Sequence, residues 1–220
     1  MTLSIEVISD VICPWCYIGK RQLEKALNAL NDRYEMTVTW RPFQLNPTMP
    51  SEGMDRQAYR AAKFGSAEAA QSRDSRVVST GALEGILFAF DQIKRTPNTF
   101  DAHRLIWLAQ RENVQDVVVE RLFQSYFIEA ADVGDRQTLI HIGKLAGLAE
   151  SDVETFLNSD EGVDAVREDN QRSRQRGVQS VPSFQLNGVM LRSGVEDADA
   201  LVRALEQAAK SIHQSSEHRK

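Results

Sequence analysis

Apolar and polar residues alternate in two short segments near the N-terminus, with a stretch of helical spacing between them. The first segment covers residues 3–8, and the second covers residues 35–41, where Pro42 follows and removes a donor from the strand ladder. From Pro14 to about Asn31, apolar residues recur at helical spacing. A strand, a helix and a second strand in this order predict a parallel, right-handed βαβ unit.

The middle of the chain shows almost no strand pattern before residue 183. Apolar residues there follow helical spacing over residues 55–64, 66–79, 101–112, 115–130, 135–147, 151–159 and 162–176. Residues 81–98 hold two glycines and a proline among apolar residues, and this irregular crossing has no assigned path. The pattern predicts a large α-helical insertion.

A hairpin is the clearest feature of the C-terminal part. Residues 183–186 and 189–192 have strand character and flank Asn187-Gly188. Both central residues of this kind of two-residue turn need a positive φ, which asparagine and glycine tolerate best. The sequence therefore predicts two antiparallel strands joined by a tight turn.

The last predicted element is an amphipathic helix over residues 198–209. Leu201, Leu205 and Ala208 share its apolar face. Residues 213–220 are mostly polar, and we expect them to form a frayed tail.

The composition narrows the class of protein. The chain has 220 residues, of which 42% are hydrophobic and 26% charged, and these values are ordinary for a globular protein. A net charge of -5 provides no basic surface for nucleic acid or an anionic membrane. Residues 1–6 lack the pattern of a signal peptide, and no apolar run approaches the roughly 20 residues of a membrane span. We expect a cytoplasmic protein without nucleic-acid or membrane partners.

The chain contains only two cysteines, Cys13 and Cys16, at the start of the first predicted helix. A disulfide that closes so short a loop removes little entropy from the unfolded chain, so the pair is not mainly a structural link. Pro14 suits the first helical turn and leaves Cys13 near the N-cap, where the helix dipole stabilises a thiolate. We expect Cys13 to be an exposed, readily ionised nucleophile and Cys16 to resolve a mixed disulfide on it.

Two other uses of the cysteine pair stay open. A zinc site needs four ligands and therefore two more than the pair supplies. The histidines are scattered without ligand spacing, at His103, His141, His213 and His218. A pair of inert buried thiols is the other alternative, and we expect no metal ion.

A second candidate feature is Val181-Pro182, directly before the predicted hairpin. Proline is tolerated at the start of a strand, and cis peptide bonds are almost confined to bonds that precede proline. If this bond is cis and lies beside the cysteines, the main chain of Val181 can pair with an incoming peptide while the proline ring lines the thiolate. Few such bonds are cis, so the pattern is weak evidence by itself.

Several aromatic and basic residues have both functional and structural interpretations. His103 on an inserted helix either lines a groove or makes a surface or interdomain hydrogen bond, and we favour the structural interpretation. Trp15 is expected to be exposed near the thiols, whereas Tyr17 and Phe43 are expected in the core. The basic residues between 167 and 176 are expected to form a solvated helix face.

The order of these motifs resembles the DsbA family of thioredoxin-fold proteins over nearly the whole chain. Finer motifs are similar to the FrnE-like branch, namely Cys16-Tyr17-Ile18-Gly19-Lys20, Trp40-Arg41-Pro42-Phe43, Asn98-Thr99 with Ala102-His103-Arg104-Leu105, and Gly177-Val178 before Val181-Pro182-Ser183-Phe184. The resemblance implies an α/β, thioredoxin-like fold with a large α-helical insertion. The thioredoxin-like domain is expected over residues 1–46 and 177–220, and the insertion over residues 47–176.

The same resemblance implies a thiol-disulfide oxidoreductase that acts on protein or small-molecule thiols. It assigns nucleophilic attack to Cys13, resolution to Cys16 and the role of a cis-proline beside them to Pro182. The expected substrate-binding residues are Pro14, Trp15, Val181 and His103. The redox-active disulfide replaces a separate cofactor, with glutathione as a possible co-substrate.

A glutathione-dependent isomerase or transferase is the alternative function, and a redox-regulated chaperone is a third. The family is related to 2-hydroxychromene-2-carboxylate isomerase and kappa-class glutathione transferases, in which a serine commonly stands at the position of Cys13. DsbA-type motifs usually carry histidine at the position of Trp15, so the resemblance does not extend to strong oxidase behaviour. The substrate, the direction of electron flow and the formation of a homodimer stay open.

Overall fold

The computed structural model describes residues 2–195 and 197–217. In chain order the elements are β1 (Thr2–Ser9), α1 (Pro14–Leu30), β2 (Glu35–Pro42), β3 (Met54–Asp55), α2 (Arg56–Phe64), α3 (Ala67–Leu83), β4 (Arg95–Thr96), α4 (Phe100–Arg111), α5 (Gln115–Phe127), α6 (Arg136–Leu145), α7 (Glu150–Leu157), α8 (Val163–Gln175), β5 (Ser183–Leu186), β6 (Val189–Ser193) and α9 (Ala198–Glu217). The predicted α/β class is confirmed, with α2–α8 inserted between β2 and β5.

A four-stranded sheet brings the two ends of the chain together. Its strand order is β2–β1–β5–β6, with β1 parallel to β2 and antiparallel to β5. Leu3, Ile5 and Val7 recur at every second position of β1 and are almost completely buried. The predicted parallel βαβ unit is confirmed, because α1 connects the two parallel strands.

The predicted hairpin is confirmed, but the final helix is longer than expected. Asn187 and Gly188 have φ values of 47° and 82° between β5 and β6, as the tight turn requires. Helix α9 continues to Glu217, so the frayed tail is wrong for residues 213–217. No glycine or proline follows Ala209 in the sequence to stop the helix. Residues 218–220 lie outside the described part.

The helical middle follows the predicted segments, but it also contains a short two-stranded sheet. Strands β3 and β4 pair antiparallel, with Met54 opposite Thr96 and Asp55 opposite Arg95. Strands of two residues are too short to show alternation, so the sequence pattern missed them. Their pairing anchors part of the crossing over residues 81–98, for which the sequence predicted no path.

Helix α1 is fixed by burial against the inserted helices. Tyr17 is buried as predicted and stacks on Phe123 of α5, with ring centroids 5.0 Å apart. Lys20 is 2% exposed and pairs with Asp116 of α5 at 3.1 Å. Burial of a large apolar side chain contributes roughly 1.5–3 kcal/mol, so these contacts hold the helix that carries both cysteines.

Within residues 2–195 and 197–217, no helix combines the length and apolar character needed to cross a membrane. The division of the chain into residues 1–46 with 177–220 and residues 47–176 stays a prediction.

Candidate active site at the start of helix α1

Cys13 is the N-cap of α1 and has an extended backbone. Its N–H donates to the carbonyl oxygen of Asp10 at 3.0 Å, and its own carbonyl oxygen accepts the N–H of Cys16 at 3.0 Å. Pro14 occupies the first helical turn, where a missing N–H costs no hydrogen bond. Cys13 therefore lies at the N-terminal, positive end of the helix dipole.

Cys16 is completely buried behind Cys13. Burial raises the pKa of the Cys16 thiol well above its ordinary value of 9.0, and contact with Cys13 raises it further. A hydrogen bond with Ser9 lowers this pKa, but burial is the larger effect. Cys16 is therefore a protonated thiol at neutral pH, within reach of Cys13 and shielded from solvent.

The surroundings of the two thiols bear on the alternative of a zinc site. Both cysteines are free thiols in the structure. Among the described residues, no group of three or more histidine, cysteine, aspartate or glutamate side chains is arranged to hold a metal ion. A zinc site built on the pair would need two further ligands from such a group.

The segment before the hairpin lies directly against the cysteines. The peptide bond between Val181 and Pro182 is cis, as the family resemblance implied. The carbonyl oxygen of Val181 accepts a hydrogen bond from Cys13 Sγ at 3.6 Å. A Cβ atom at Gly19 of α1 would lie 2.9 Å from Cγ of Pro182, so glycine is what lets the proline ring pack on the helix. The ring of Pro182 therefore packs on the helical turn of α1 that follows Cys16.

A cavity of about 580 Å³ lies beside Cys13. Pro14, Trp15 and Val181 line it together with Cys13, so three of the expected substrate-binding residues meet there. Residues of α2 and α3 line the cavity as well, with Tyr126 of α5 among the aromatic lining residues. The thiol of Cys13 therefore borders a space large enough for a small molecule.

Exposure at the site differs from the sequence expectation. Cys13 is 5% exposed instead of open to solvent, and Val181, itself 7% exposed, contacts its sulfur atom. Trp15 is half-buried instead of exposed. A substrate must therefore enter the cavity to meet the thiol, because the thiol does not project from the surface.

His103 is not among the residues that line this cavity. It is 3% exposed, and its Nε2 atom lies 3.3 Å from Oδ1 of Asp10 without the alignment of a hydrogen bond. The other carboxylate oxygen of Asp10 accepts the N–H of Leu45 at 2.7 Å. His103 therefore lies away from this cavity, and its contact with Asp10 connects α4 with the turn before Cys13.

The arginines of the basic segment of α8 are exposed, as predicted for a solvated helix face. The Arg174 guanidinium lies 4.2 Å from the ring centroid of Phe43 and donates to the carbonyl oxygen of Gln44. Phe43 is 3% exposed, as its predicted core position requires. Arg172 pairs with Asp169 of the same helix at 2.7 Å. Arg174 therefore connects α8 with the segment that follows β2, while Arg172 pairs only within its own helix.

The positive charge on α2 and α3 was not predicted from the sequence. Arg56, Arg60 and Lys63 recur at spacings of four and three residues, which places them on one face of α2. Arg73 and Arg76 line the same cavity from α3. The spacing is visible in the sequence, but the cavity forms only when these helices fold over the start of α1.

Comparisons with known proteins give relatives that match nearly the whole chain. The crystal structure of a probable DsbA oxidoreductase, SCO1869 from Streptomyces coelicolor, has 30% sequence identity and a TM-score of 0.87, and the match covers 94% of this chain and 90% of that chain. The uncharacterized protein YwbO of Bacillus subtilis (strain 168) is 24% identical over 211 residues, which are 96% of this chain and 99% of YwbO. A structure of 2-hydroxychromene-2-carboxylate isomerase has a TM-score of 0.65 with 17% identity over 99% of both chains, which shows a shared fold.

The family model described as the DSBA-like thioredoxin domain matches residues 4–206. This range contains both cysteines, the helical insertion and Val181-Pro182. The predicted thioredoxin-like fold with an inserted set of helices is confirmed. The chain therefore belongs to the DSBA-like thioredoxin family of thiol oxidoreductases.

Proposed function

We propose that the protein is a thiol-disulfide oxidoreductase in which Cys13 attacks the substrate and Cys16 resolves the mixed disulfide. One observation carries the proposal: Cys13 is the N-cap of α1 on the wall of a cavity, and Cys16 is buried directly behind it. Membership of the DSBA-like family supports this class of reaction.

The proposed reaction transfers two electrons from the protein to a disulfide. The Cys13 thiolate attacks one substrate sulfur, an S–S bond forms, and the substrate S–S bond breaks to release a thiolate that takes up a proton. Cys16 then loses its proton and attacks Cys13 Sγ, which closes the Cys13–Cys16 disulfide and releases the second half of the substrate as a thiol. Two molecules of a thiol such as glutathione restore the reduced protein. The reverse sequence oxidises a dithiol.

The residues around Cys13 have separate proposed roles. Pro14, Trp15 and Val181 are proposed to contact the substrate, because they line the cavity beside the reacting sulfur. Pro182 is proposed as a positioning residue that holds Val181 against Cys13, because its ring packs on Gly19. No such role is proposed for His103.

The proposal also covers the substrate, the co-substrate and the cellular location of the protein. The substrate is a protein or small-molecule disulfide, glutathione is the expected co-substrate, and the redox-active group is the cysteine pair. We propose a cytoplasmic location and no nucleic-acid partner, consistent with the net charge of -5.

The test is the reduction of insulin and of a glutathionylated peptide by the wild type and by Cys13→Ser. We expect turnover by the wild type and only the uncatalysed rate with Cys13→Ser, because a hydroxyl does not replace a thiolate as nucleophile. Circular dichroism of both proteins checks that the variant folds. Equal inactivity of two folded proteins would contradict the proposal.

A glutathione-dependent isomerase is the second candidate. Its support is the fold shared with 2-hydroxychromene-2-carboxylate isomerase and a cavity within the roughly 300–1,000 Å³ typical of small-molecule sites. Isothermal titration with reduced glutathione separates the candidates. Saturable non-covalent binding that persists in Cys16→Ser, together with no disulfide reduction by the wild type, would favour the isomerase.

A further inference from the structure

Positive charge is concentrated on one side of the cavity beside Cys13. The cationic wall, as we name it, consists of Arg56, Arg60 and Lys63 of α2 with Arg73 and Arg76 of α3. Asp74 is the acidic residue that lines the cavity with them. Because the chain carries a net charge of -5, this wall is a local excess of charge opposite in sign to the whole protein.

Asp74 neutralises only part of the cationic wall. Its carboxylate pairs with Arg56 at 3.3 Å and also with Arg60. The other three cations of the wall have no carboxylate partner among the described residues. Arg73 instead lies over the ring of Phe64, 4.7 Å from its centroid. Three positive charges in the cavity that Cys13 also lines therefore have no compensating carboxylate and can pair with an incoming anion.

Two buried hydrogen-bond donors at the cavity lack acceptors. The Nδ2 atom of Asn46 and the Nε atom of Arg60 are buried without a hydrogen-bond partner among the described residues, and both residues line the cavity. Burial lowers the pKa of Arg60, the charge of Asp74 raises it, and the charge of Arg56 lowers it again. Native proteins seldom leave buried donors unpaired, but these two atoms are closed to solvent, so the exposed Lys63, Arg73 and Arg76 are the groups that meet a ligand.

We propose that this cavity selects small disulfides that carry carboxylate groups. The carboxylates bind at the cationic wall, and the disulfide then lies against Cys13, where the exchange described above takes place. Carboxylates suit these donors because guanidinium groups bind them through paired, charge-assisted hydrogen bonds. The volume of about 580 Å³ favours a small molecule. This inference rests on the proposed function and adds its substrate class.

Three disulfides of similar length and different charge test the proposal. They are the dianion dithiodipropionate, the neutral hydroxyethyl disulfide and the dication cystamine. The protein is the full chain, either wild type or with Lys63→Gln, Arg73→Gln and Arg76→Gln combined. The matched control is Arg203→Gln, which removes a charge from an exposed residue of α9 that does not line the cavity.

The combined variant is expected to lower kcat/KM for the dianion roughly tenfold, as the loss of three partly exposed charge pairs would. Its kcat/KM for the neutral disulfide is expected to stay within about twofold of the wild type, because the wall exerts no electrostatic force on an uncharged ligand. Its kcat/KM for cystamine is expected to rise, because the wild-type wall repels this dication. Arg203→Gln is expected to match the wild type with all three. Added salt is expected to lower the wild-type rate with the dianion and leave the rate with the neutral disulfide unchanged.

The outcomes separate this proposal from the function on which it rests. If the wild type reduces all three disulfides and the combined variant changes them equally, the substrate class is wrong and the oxidoreductase stands. If the wild type reduces none of them, nor insulin, the proposed function fails and the substrate class with it. Comparing each variant with the wild type on one compound removes differences in intrinsic reactivity between the disulfides.

Discussion

Helices α1 and α2 line the same cavity, but they are held in place in different ways. Much of α1 is buried, including Cys16, Gly19 and Lys20, whereas α2 has no buried residue. Helix α2 depends on its ends, where the side chain of Asp55 accepts the N–H of Ala58 at 2.9 Å, and on ion pairs to α3.

The difference separates the chemistry from the recognition of substrate. A thiol that must meet another thiol within bonding distance needs a rigid support, and burial of α1 provides it. Charges that attract a ligand act over several ångströms, so a helix without a buried face can carry them. We expect changes in α2 to alter substrate preference with little effect on the thiol chemistry, and changes near α1 to do the opposite.

The largest expected effect belongs to Cys16→Ser on the rigid side. With no thiol added, we expect this variant to form a mixed disulfide at Cys13 and to stop there, with release of the second half of the substrate at least about a hundredfold slower than in the wild type, because no second protein thiol attacks the intermediate. Peptide mapping by mass spectrometry after an acid quench locates the adduct. A variant that turns over like the wild type would remove Cys16 from the mechanism.

Gly19→Ala tests how closely the proline ring must approach α1. The new Cβ would lie 2.9 Å from Pro182 Cγ and 3.3 Å from Phe184 Cζ, so the ring must move. Overpacking costs about 1–3 kcal/mol, of which about 1 kcal/mol is offset by the better helix propensity of alanine. We expect a small loss of unfolding free energy in urea and a clear loss of disulfide exchange.

Gly65→Ala is the matched control on α2. Its φ is 91° and no atom lies within 4 Å of the added Cβ, so the cost is backbone strain of about 1–2 kcal/mol. We expect Gly65→Ala to lower stability without lowering the rate of exchange with a neutral disulfide. Equal effects of the two glycine variants on that rate would contradict the division between α1 and α2.

Asp74→Asn addresses the ion pairs that hold α2 on α3. The side chains of Asp74, Arg56 and Arg60 are 19%, 11% and 17% exposed, so the variant leaves two poorly solvated guanidinium groups without their carboxylate. We expect a loss of roughly 1–2 kcal/mol, below the roughly 3–5 kcal/mol of a fully buried pair. Thermal unfolding of the wild type and of Asp74→Asn measures this loss of stability.

The control for Asp74→Asn is Glu150→Gln, which breaks an exposed pair with Lys144 and should cost less than about 0.5 kcal/mol. Because Asp74→Asn makes the cationic wall more positive, it should not slow exchange with an anionic disulfide. A slower rate with the anion but not with the neutral compound would contradict the role assigned to the wall.

The smallest predicted effect is the pH dependence of stability from Cys16. Burial raises the pKa of this thiol in the folded protein above its value in the unfolded chain. The folded state therefore keeps a proton that the unfolded state loses, and the stabilisation is complete below about pH 8.5 and decreases as the pH rises further. We expect the Tm of the reduced wild type to fall more than that of Cys16→Ser between about pH 8 and pH 10. Parallel curves would contradict a raised pKa.

Local signals in the sequence were sufficient for much of the fold. Asn187-Gly188 predicted the hairpin because the positive φ values are a property of those two residues, and the period of apolar positions predicted the strands and helices. The end of α9 was missed because no glycine or proline follows Ala209 as a stop signal. Strands β3 and β4 were missed because two residues are too few to show a period.

The site was predictable where one short segment contains it. Cys13 and Cys16 are neighbours in sequence, and the helix that begins at Pro14 gives them different environments. The burial of Cys13 and the contact of His103 with Asp10 depend on segments far apart in the chain. No local pattern encodes such pairings, so the exposure predicted for the nucleophile was wrong.

The most direct test of the redox pair is a titration of the wild type in glutathione redox buffers, with free thiols trapped by alkylation and counted by mass spectrometry. We predict one transition between a dithiol and a Cys13–Cys16 disulfide, with the two-electron slope of about 30 mV per decade. If no buffer yields the intramolecular disulfide, or if only glutathione adducts form, Cys13 and Cys16 are not a redox pair.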